Sequence, residues 1–449
     1  MTSHAGDPVA DLQQAIEAAG SAVRLLWTPN AKNWSVPVIA PEFTGWAQEQ
    51  AAWREQVTLS DLSHHMNDLF IDGPDALRLL KEWSANDFDS FEIGRAKQFV
   101  PVSAEGHIIS DGILMRNAEE SFTLTGVPCA QNWIRYQGQT GGYDVAFRVD
   151  PDSGTRRGGD PELFRYQLHG PHALALAEKI FGGPLPKAKF FHSVPVSLNG
   201  RHFRAFRHGM VGQPGFEFIG AYADGAAFKE TILKAGEEFG LAQIGGKAYF
   251  TNGIESGWIP TPVPAIYQPE LADYRNTLPL FSFEGKKPLH GTFWSDDIAD
   301  YYTTPFELGY GRSVSFNHDY HGRAALERLK DEPHRQRVTF ELAPEDVAKA
   351  MGPDLDYYLS YGRYRVESGG KTVGYGCYTA NIAPVGRVLS LGLVDPAFAA
   401  PGTEVTFVWG EHPGYGAPAD VDKGFHRIRA IVCPSPYAEV ARTSYRKND

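Results

Sequence analysis

The stretch Gly209-Met210-Val211-Gly212-Gln213-Pro214-Gly215 has the glycine spacing of a phosphate cradle, and Phe216-Glu217-Phe218-Ile219 follows it. A dinucleotide cradle must open a helix, so that the helix N-terminus faces the pyrophosphate. The run after Gly215 has the pattern of a strand, which excludes that chemistry. What remains is a tight loop leading to an acidic residue between aromatics. Glu217 is then either an outward-facing strand residue or a buried carboxylate that accepts hydrogen bonds from the amino and ring N–H groups of a ligand. Metal chemistry has weaker support. The side chains of His64 and His65 are neighbours and point in different directions on a helix or a strand. His318-Asp319-Tyr320-His321 reads as a solvated loop, so no metal is expected. No Gly-x-Ser-x-Gly motif is present, and Cys129, Cys377 and Cys433 lie far apart, without a disulfide framework or a recognisable reactive setting.

The elements that must position such groups are mixed. In the first part of the 449-residue chain, Asp11 to Leu26 has helical spacing, and Gln48 to Gln56 is again helical. The stretch Leu69-Phe70-Ile71-Asp72-Gly73-Pro74-Asp75-Ala76-Leu77 reads as strand, turn and helix. The same pattern returns at Gln167-Leu168-His169-Gly170-Pro171-His172-Ala173-Leu174, a weak internal repeat that suggests two related α+β units. Phe99 to Gly126, Arg201 to Phe206 and Gly215 to Ile219 read as strands, and Ala226 to Phe239 as a helix. Past residue 336 the pattern changes to short β-like runs at Val338 to Leu342, Tyr357 to Arg365, Val388 to Leu393 and Thr403 to Trp409. The expected division is therefore 1–336, two intertwined α+β domains, and 337–449, a β-rich, barrel-like C-terminal domain.

Forty-two basic against 54 acidic side chains give a net charge of −12, which disfavours nucleic acid and acidic lipid surfaces as partners. No apolar run approaches the roughly 18 residues of a membrane span, and Met1 to Asp11 lacks the features of a secretory signal. A cytoplasmic protein is expected, with no membrane partner. Aromatic residues make up 12% of the chain, beside 47 Gly and 31 Pro, a combination that suits β-rich architecture and a planar ligand.

Arg207-His208-Gly209-Met210-Val211-Gly212-Gln213-Pro214-Gly215-Phe216-Glu217-Phe218 resembles the Arg-x-Gly-Tyr-Thr-Gly-Glu-x-Gly-Phe-Glu segment of the aminomethyltransferase (glycine-cleavage T-protein) family. Gly106 to Asp111, Phe190-Phe191, Tyr320 to Leu326 and Pro401 to Val405 resemble further segments of that family, in the same order. Other segments resemble the tetrahydrofolate-dependent aryl O-demethylases that act on vanillate and syringate. These are Ala40 to Phe43, Ser63-His64-His65-Met66, Ala96 to Val102, Gln139 to Tyr143, Glu255 to Pro260 and Pro264 to Tyr267. The resemblance implies a three-domain α+β fold with folate in a central channel. It also implies transfer of a methyl group from an aromatic methyl ether to N5 of tetrahydrofolate, giving a phenol and 5-methyltetrahydrofolate without a metal.

The same resemblance implies roles for individual residues. Glu217 would accept from the 2-amino and N3–H groups of the pterin. Phe191 and Trp258 would supply aromatic faces, and Asp111 would lie near N5. Tyr249 would be a catalytic acid, with a reference pKa of about 10 close to that of a phenol product. His65 would lie beside Tyr249 or the substrate. Val127 stands where the vanillate enzymes carry an arginine for the substrate carboxylate, and Val36, after Trp34, where they carry a tyrosine. A drier pocket follows, suited to a less polar methoxyarene or to a chlorinated 2-methoxybenzoate such as dicamba, with His192 as a candidate carboxylate donor. Two alternatives stay open: the same fold with an aminomethyl or methyl-sulfonium donor, and a non-catalytic folate-binding regulator. Tyr249 and the Gly212-Gln213-Pro214-Gly215 sequence speak against aminomethyl transfer, and Cys377-Tyr378-Thr379-Ala380 against the regulator.

Overall fold

Both copies of the strand, Gly-Pro and helix pattern form in the computed structural model, which describes residues 10–260 and 262–444. Asn67–Asp72 leads to the helix Ala76–Glu82, and Leu163–His169 to the helix Ala173–Phe181. The shared glycine has a physical reason. Gly73 and Gly170 adopt φ of 140° and 125°. A Cβ would come within 2.5 Å of Asp144 O at the first and 2.4 Å of Gln56 O at the second, closer than any side chain allows.

The two copies belong to different sheets. A six-stranded sheet runs in the order Ala242–Ile244, Thr58–Asp61, Leu163–His169, Gly215–Ala221, Arg201–Phe206, Ser193–Leu198. A five-stranded sheet runs Ala96–Phe99, Gly112–Ala118, Ser121–Gly126, Asn67–Asp72, Ala146–Asp150. In the C-terminal part, Lys371–Ile382, Tyr364–Ser368, Glu404–Trp409, His426–Cys433, Gln336–Leu342 and Arg387–Val394 pair antiparallel in that order, and the last pairs with the first. That closure makes an antiparallel barrel, which leaves no exposed sheet edge. The architecture is α+β with a C-terminal β-barrel.

Two segments depart from the periodicity. The helix expected over Asp11 to Leu26 is broken into Leu12–Ala19 and Ala22–Leu26, because Gly20 takes φ of 85° and Ser21 caps a new helix by accepting from the Arg24 N–H. Within Tyr357 to Arg365 only Leu359–Ser360 and the start of Tyr364–Ser368 are strand. The helix Trp46–Glu55 ties the units together. Gln50 donates to Thr251 Oγ1 at 2.9 Å and to the Asn381 carbonyl in the barrel at 3.2 Å, and Arg54 pairs with Glu255. Among the described residues no helix is long and apolar enough to cross a membrane.

Candidate active site

The strand sequence Phe164-Arg165-Tyr166-Gln167-Leu168 alternates, and its two faces have different fates. Phe164, Tyr166 and Leu168 join Phe216 and Phe218 in one apolar core. Arg165 and Gln167 point the other way, beside Glu217, whose register partner is Gln167. This polar face forms one wall of a cavity between the two N-terminal sheets, and Ile113, Met115, Thr123 and Thr125 of the five-stranded sheet line the opposite wall.

Glu217 is therefore buried rather than facing solvent. Its Oε1 accepts from Arg165 Nη1 and its Oε2 from Gln167 Nε2, both at 3.1 Å. A carboxylate oxygen has two acceptor directions, so each oxygen retains one for a ligand. Arg165 also donates through Nη2 to both oxygens of Asp68, at 2.8 and 2.9 Å, and to Thr125 Oγ1 at 3.1 Å. Burial opposes the charge on Arg165, but the two carboxylates outweigh it and the guanidinium is held above its ordinary pKa.

Tyr249 closes the four-residue helix Gly246–Tyr249, which is placed by its backbone. Glu49 Oε2 accepts from the Gly245 N–H at 2.8 Å, and Glu49 Oε1 binds the Phe43 and Thr44 N–H groups. Gly246 and Lys247 N–H donate to the carbonyls of Ala40 and Pro41 at 3.0 and 2.9 Å. A Cβ on Gly245 would meet the Glu42 backbone at 2.5 Å, so only glycine permits this approach. Tyr249 Oη then lies 2.9 Å from His65 Nε2, with the rings edge to face at 4.8 Å.

The other nitrogen of His65, Nδ1, lies 3.2 Å from the Leu62 carbonyl. A carbonyl only accepts, so Nδ1 carries the proton and Nε2 accepts from the Tyr249 hydroxyl. Burial lowers the His65 pKa to about 4, so the imidazole is neutral at pH 7. An unfolded histidine titrates near ~6.5, so below that pH the unfolded chain takes the proton first and this site loses stability as the solution is acidified. We expect nuclear magnetic resonance of ring-labelled histidine to find His65 as the neutral Nδ1–H tautomer from pH 8 down to about 5. Titration near its ordinary value would contradict the assignment. Burial pushes the Tyr249 phenol above its ordinary value, and the charge on Glu217 adds to this. The reference value of about 10, expected to lie close to that of a phenol product, therefore does not describe Tyr249 in this cavity.

Asp111 is buried, and its Oδ2 accepts from Tyr310 Oη at 2.7 Å, Trp258 Nε1 at 3.2 Å and Gln98 Nε2. Burial raises its pKa and these donors pull it back. Phe191 holds φ of 62°, a backbone shape that costs a bulky residue of order 1–3 kcal/mol and gathers at functional sites. Its ring stacks on Phe190 at 4.5 Å and on Phe206 at 5.8 Å.

Of the residues singled out in the sequence, His65, Asp111, Val127, Phe191, Glu217, Tyr249 and Trp258 line one cavity. Trp34, Val36 and His192 do not line it. Trp34 packs edge-on against the outer neighbour Phe250 at 5.5 Å and is half exposed, and Val36 is buried in the same loop. After the turn at Phe191 the chain pairs with Arg95, and the His192 imidazole turns back to the Phe190 carbonyl at 3.1 Å. His64 diverges from His65 and bonds Ser153 Oγ at 2.8 Å. Sequence reasoning missed Gln98, Arg165, Gln167 and Tyr310. The polar residues of the Phe-Arg-Tyr-Gln-Leu alternation were a usable signal for the middle two.

The arrangement offers a neutral phenol donor, a buried carboxylate with spare acceptor directions and several aromatic faces. The GCVT N-terminal domain model matches residues 26–261. The chain is 36% identical to the syringate O-demethylase of Sphingobium sp., across 97% of each chain. It is 28% identical to the sesamin methylene transferase of Sinomonas sp., across 90% of this chain and 91% of that one. Among solved structures, the glycine cleavage system aminomethyltransferase T of Bartonella henselae superimposes with a TM-score of 0.63 at 19% identity, over 96% of this chain and 99% of that one.

Proposed function

The chain is a transferase of the GCVT family, and from that premise we propose that it demethylates a methoxylated aromatic compound, passing the methyl group to N5 of tetrahydrofolate and releasing a phenol and 5-methyltetrahydrofolate. The observation that carries this reading is the Tyr249–His65 hydrogen bond inside the cavity that also contains Glu217 and Asp111. An aryl ether is a poor methyl donor because phenoxide is a basic leaving group. A positioned acid at the ether oxygen removes that obstacle, typically by about 10²–10⁴-fold.

The residues fit a pterin. Glu217, held by Arg165 and Gln167, offers two parallel acceptor directions to neighbouring N–H groups. Phe191 and Trp258 present ring surfaces to the cavity, and Asp111 is fixed by three donors. When bound, tetrahydrofolate supplies the nucleophilic amine that accepts the methyl group. Tyr249 would turn its proton from His65 Nε2 to the ether oxygen by rotation about its C–O bond as the methyl–oxygen bond breaks. The resulting Tyr249 phenolate would take up the proton that N5 loses on methylation, restoring the phenol. The edge-to-face contact with the His65 ring keeps Tyr249 in place meanwhile. The sheets on either side hold the reactants close and exclude water, which contributes the larger part of the acceleration.

For the substrate we propose a methoxyarene less polar than vanillate, or a chlorinated methoxybenzoate of the dicamba type. Val127 supports this, because an apolar side chain in the cavity wall leaves a carboxylate at that place without a partner. Val127→Arg is expected to raise kcat/KM on vanillate-like acids by about tenfold or more, the worth of one charge-assisted hydrogen bond. Steady-state kinetics on vanillate decides this, and no gain would remove Val127 from the substrate pocket.

The deciding experiment is anaerobic incubation with tetrahydrofolate and vanillate, syringate, guaiacol or dicamba, followed by mass spectrometry. Stoichiometric 5-methyltetrahydrofolate and phenol would establish the reaction. Tetrahydrofolate binding without turnover of any of the four would overturn the proposed donor class.

A further inference from the structure

The cavity changes character along its length. Near Tyr249 it is lined by Glu217 and Asp111, in the middle by Ile113, Met115, Phe206 and Ile219, and beyond them by Asn117 and Arg204. Ile219 is the register partner of Arg204, and Glu217 that of Phe206, two residues earlier in the cavity wall. At about 3.3 Å per residue, Arg204 is rooted roughly 7 Å from the level of Glu217.

The two arginines of this wall differ. Arg165 is neutralised by Asp68 and Glu217. Arg204 makes no ion pair among the described residues; its Nη1 donates to Asn117 Oδ1 and approaches Met115 Sδ at 3.5 Å. Asn117 is in turn oriented by donating through Nδ2 to Thr123 Oγ1 at 2.7 Å. The Nε and Nη2 edge of Arg204 has no hydrogen-bond partner among the described residues, and that edge is the fork that matches a carboxylate. Burial and the nearby Arg165 both work against the charge on Arg204, so an anion beside it would be favoured. In a chain of net charge −12, an arginine left without an acid in a ligand cavity calls for a bound partner.

We propose that Arg204, oriented by Asn117, is the carboxylate anchor of this cavity. The proposal rests on the reading of the cavity as the site of methyl transfer from a methoxyarene to tetrahydrofolate. It supplies the cation missing at Val127. Two carboxylates fit the same chemistry, that of an aromatic acid substrate and that of the glutamyl tail of the folate.

Equilibrium binding, followed by quenching of tryptophan fluorescence or by calorimetry, separates them. Wild type, Arg204→Lys and Arg204→Met are titrated with tetrahydrofolate and its dimethyl ester, and with 2-methoxybenzoate and 2-methoxybenzamide. Thermal melting confirms that the variants fold, since methionine retains most of the apolar stem. In at least one pair, Arg204→Met should weaken the acid by about 10–100-fold and leave the neutral analogue unchanged. Arg204→Lys should fall between, because an ammonium cannot form the fork. The pair that responds names the source of the carboxylate. Equal losses for acid and neutral analogue, or no loss in either pair, would overturn the anchor. Failure of methyl transfer on every methoxyarene would instead overturn the proposed reaction, while the folate pair would still report on Arg204.

Discussion

Tyr249→Phe is expected to lower the rate of the proposed methyl transfer by about 10²–10⁴-fold while leaving tetrahydrofolate affinity within a factor of about two. The substitution removes one oxygen. The ring keeps its edge contacts with His65 at 4.8 Å and with Phe250 at 5.7 Å, and the backbone bonds that seat the helix Gly246–Tyr249 do not involve the side chain. The lost hydroxyl is the donor to His65 Nε2, and a neutral imidazole nitrogen without a partner is a modest penalty beside a loss of about 3–5 kcal/mol in transition-state stabilisation. Single-turnover kinetics with saturating cofactor, paired with equilibrium binding, measures the two effects apart. Unchanged turnover would remove the acid, and an equal collapse of folate binding would make Tyr249 a structural residue.

The second large effect is on stability. Arg165→Met should destabilise the protein by about 3–5 kcal/mol at pH 7, the usual result of removing one partner from a buried charge cluster. Arg165 comes from the six-stranded sheet, Asp68 and Thr125 from the five-stranded one, so the guanidinium bridges the sheets as well as neutralising Glu217. A charge-conserving variant distinguishes this from lost packing, because lysine keeps the cation whereas methionine keeps only the apolar stem. In urea unfolding at pH 7, Arg165→Lys should therefore show a clearly smaller deficit than Arg165→Met. Equal deficits in the two variants would assign Arg165 a packing role only.

Local pattern was informative wherever a residue's fate depends on its neighbours in the chain. The strand after Gly215, the two Gly-Pro repeats and the switch to β structure in the C-terminal part follow from alternation and glycine placement. Asp68, Arg165 and Glu217 share a cluster assembled from three strands of two sheets, and no spacing in the sequence brings them together. Tyr310 reaches Asp111 across 199 residues from a segment without periodicity. Trp34, Val36 and His192 lie outside the cavity lining for a different reason. Matching a position to a family motif does not determine the path of a loop, and one left-handed residue at Phe191 is enough to turn the next side chain away.

The main-chain seating of the helix Gly246–Tyr249 has an evolutionary consequence. Glu49, Ala40 and Pro41 grip amide groups, so the side chain presented at residue 249 is not needed to hold its own platform. Such a position behaves as an interchangeable tool mount. A change of that one side chain would alter the group offered to the cavity while the cradle around it persists. On the proposed reading, donor chemistry and the stability of the fold can therefore change independently at this position.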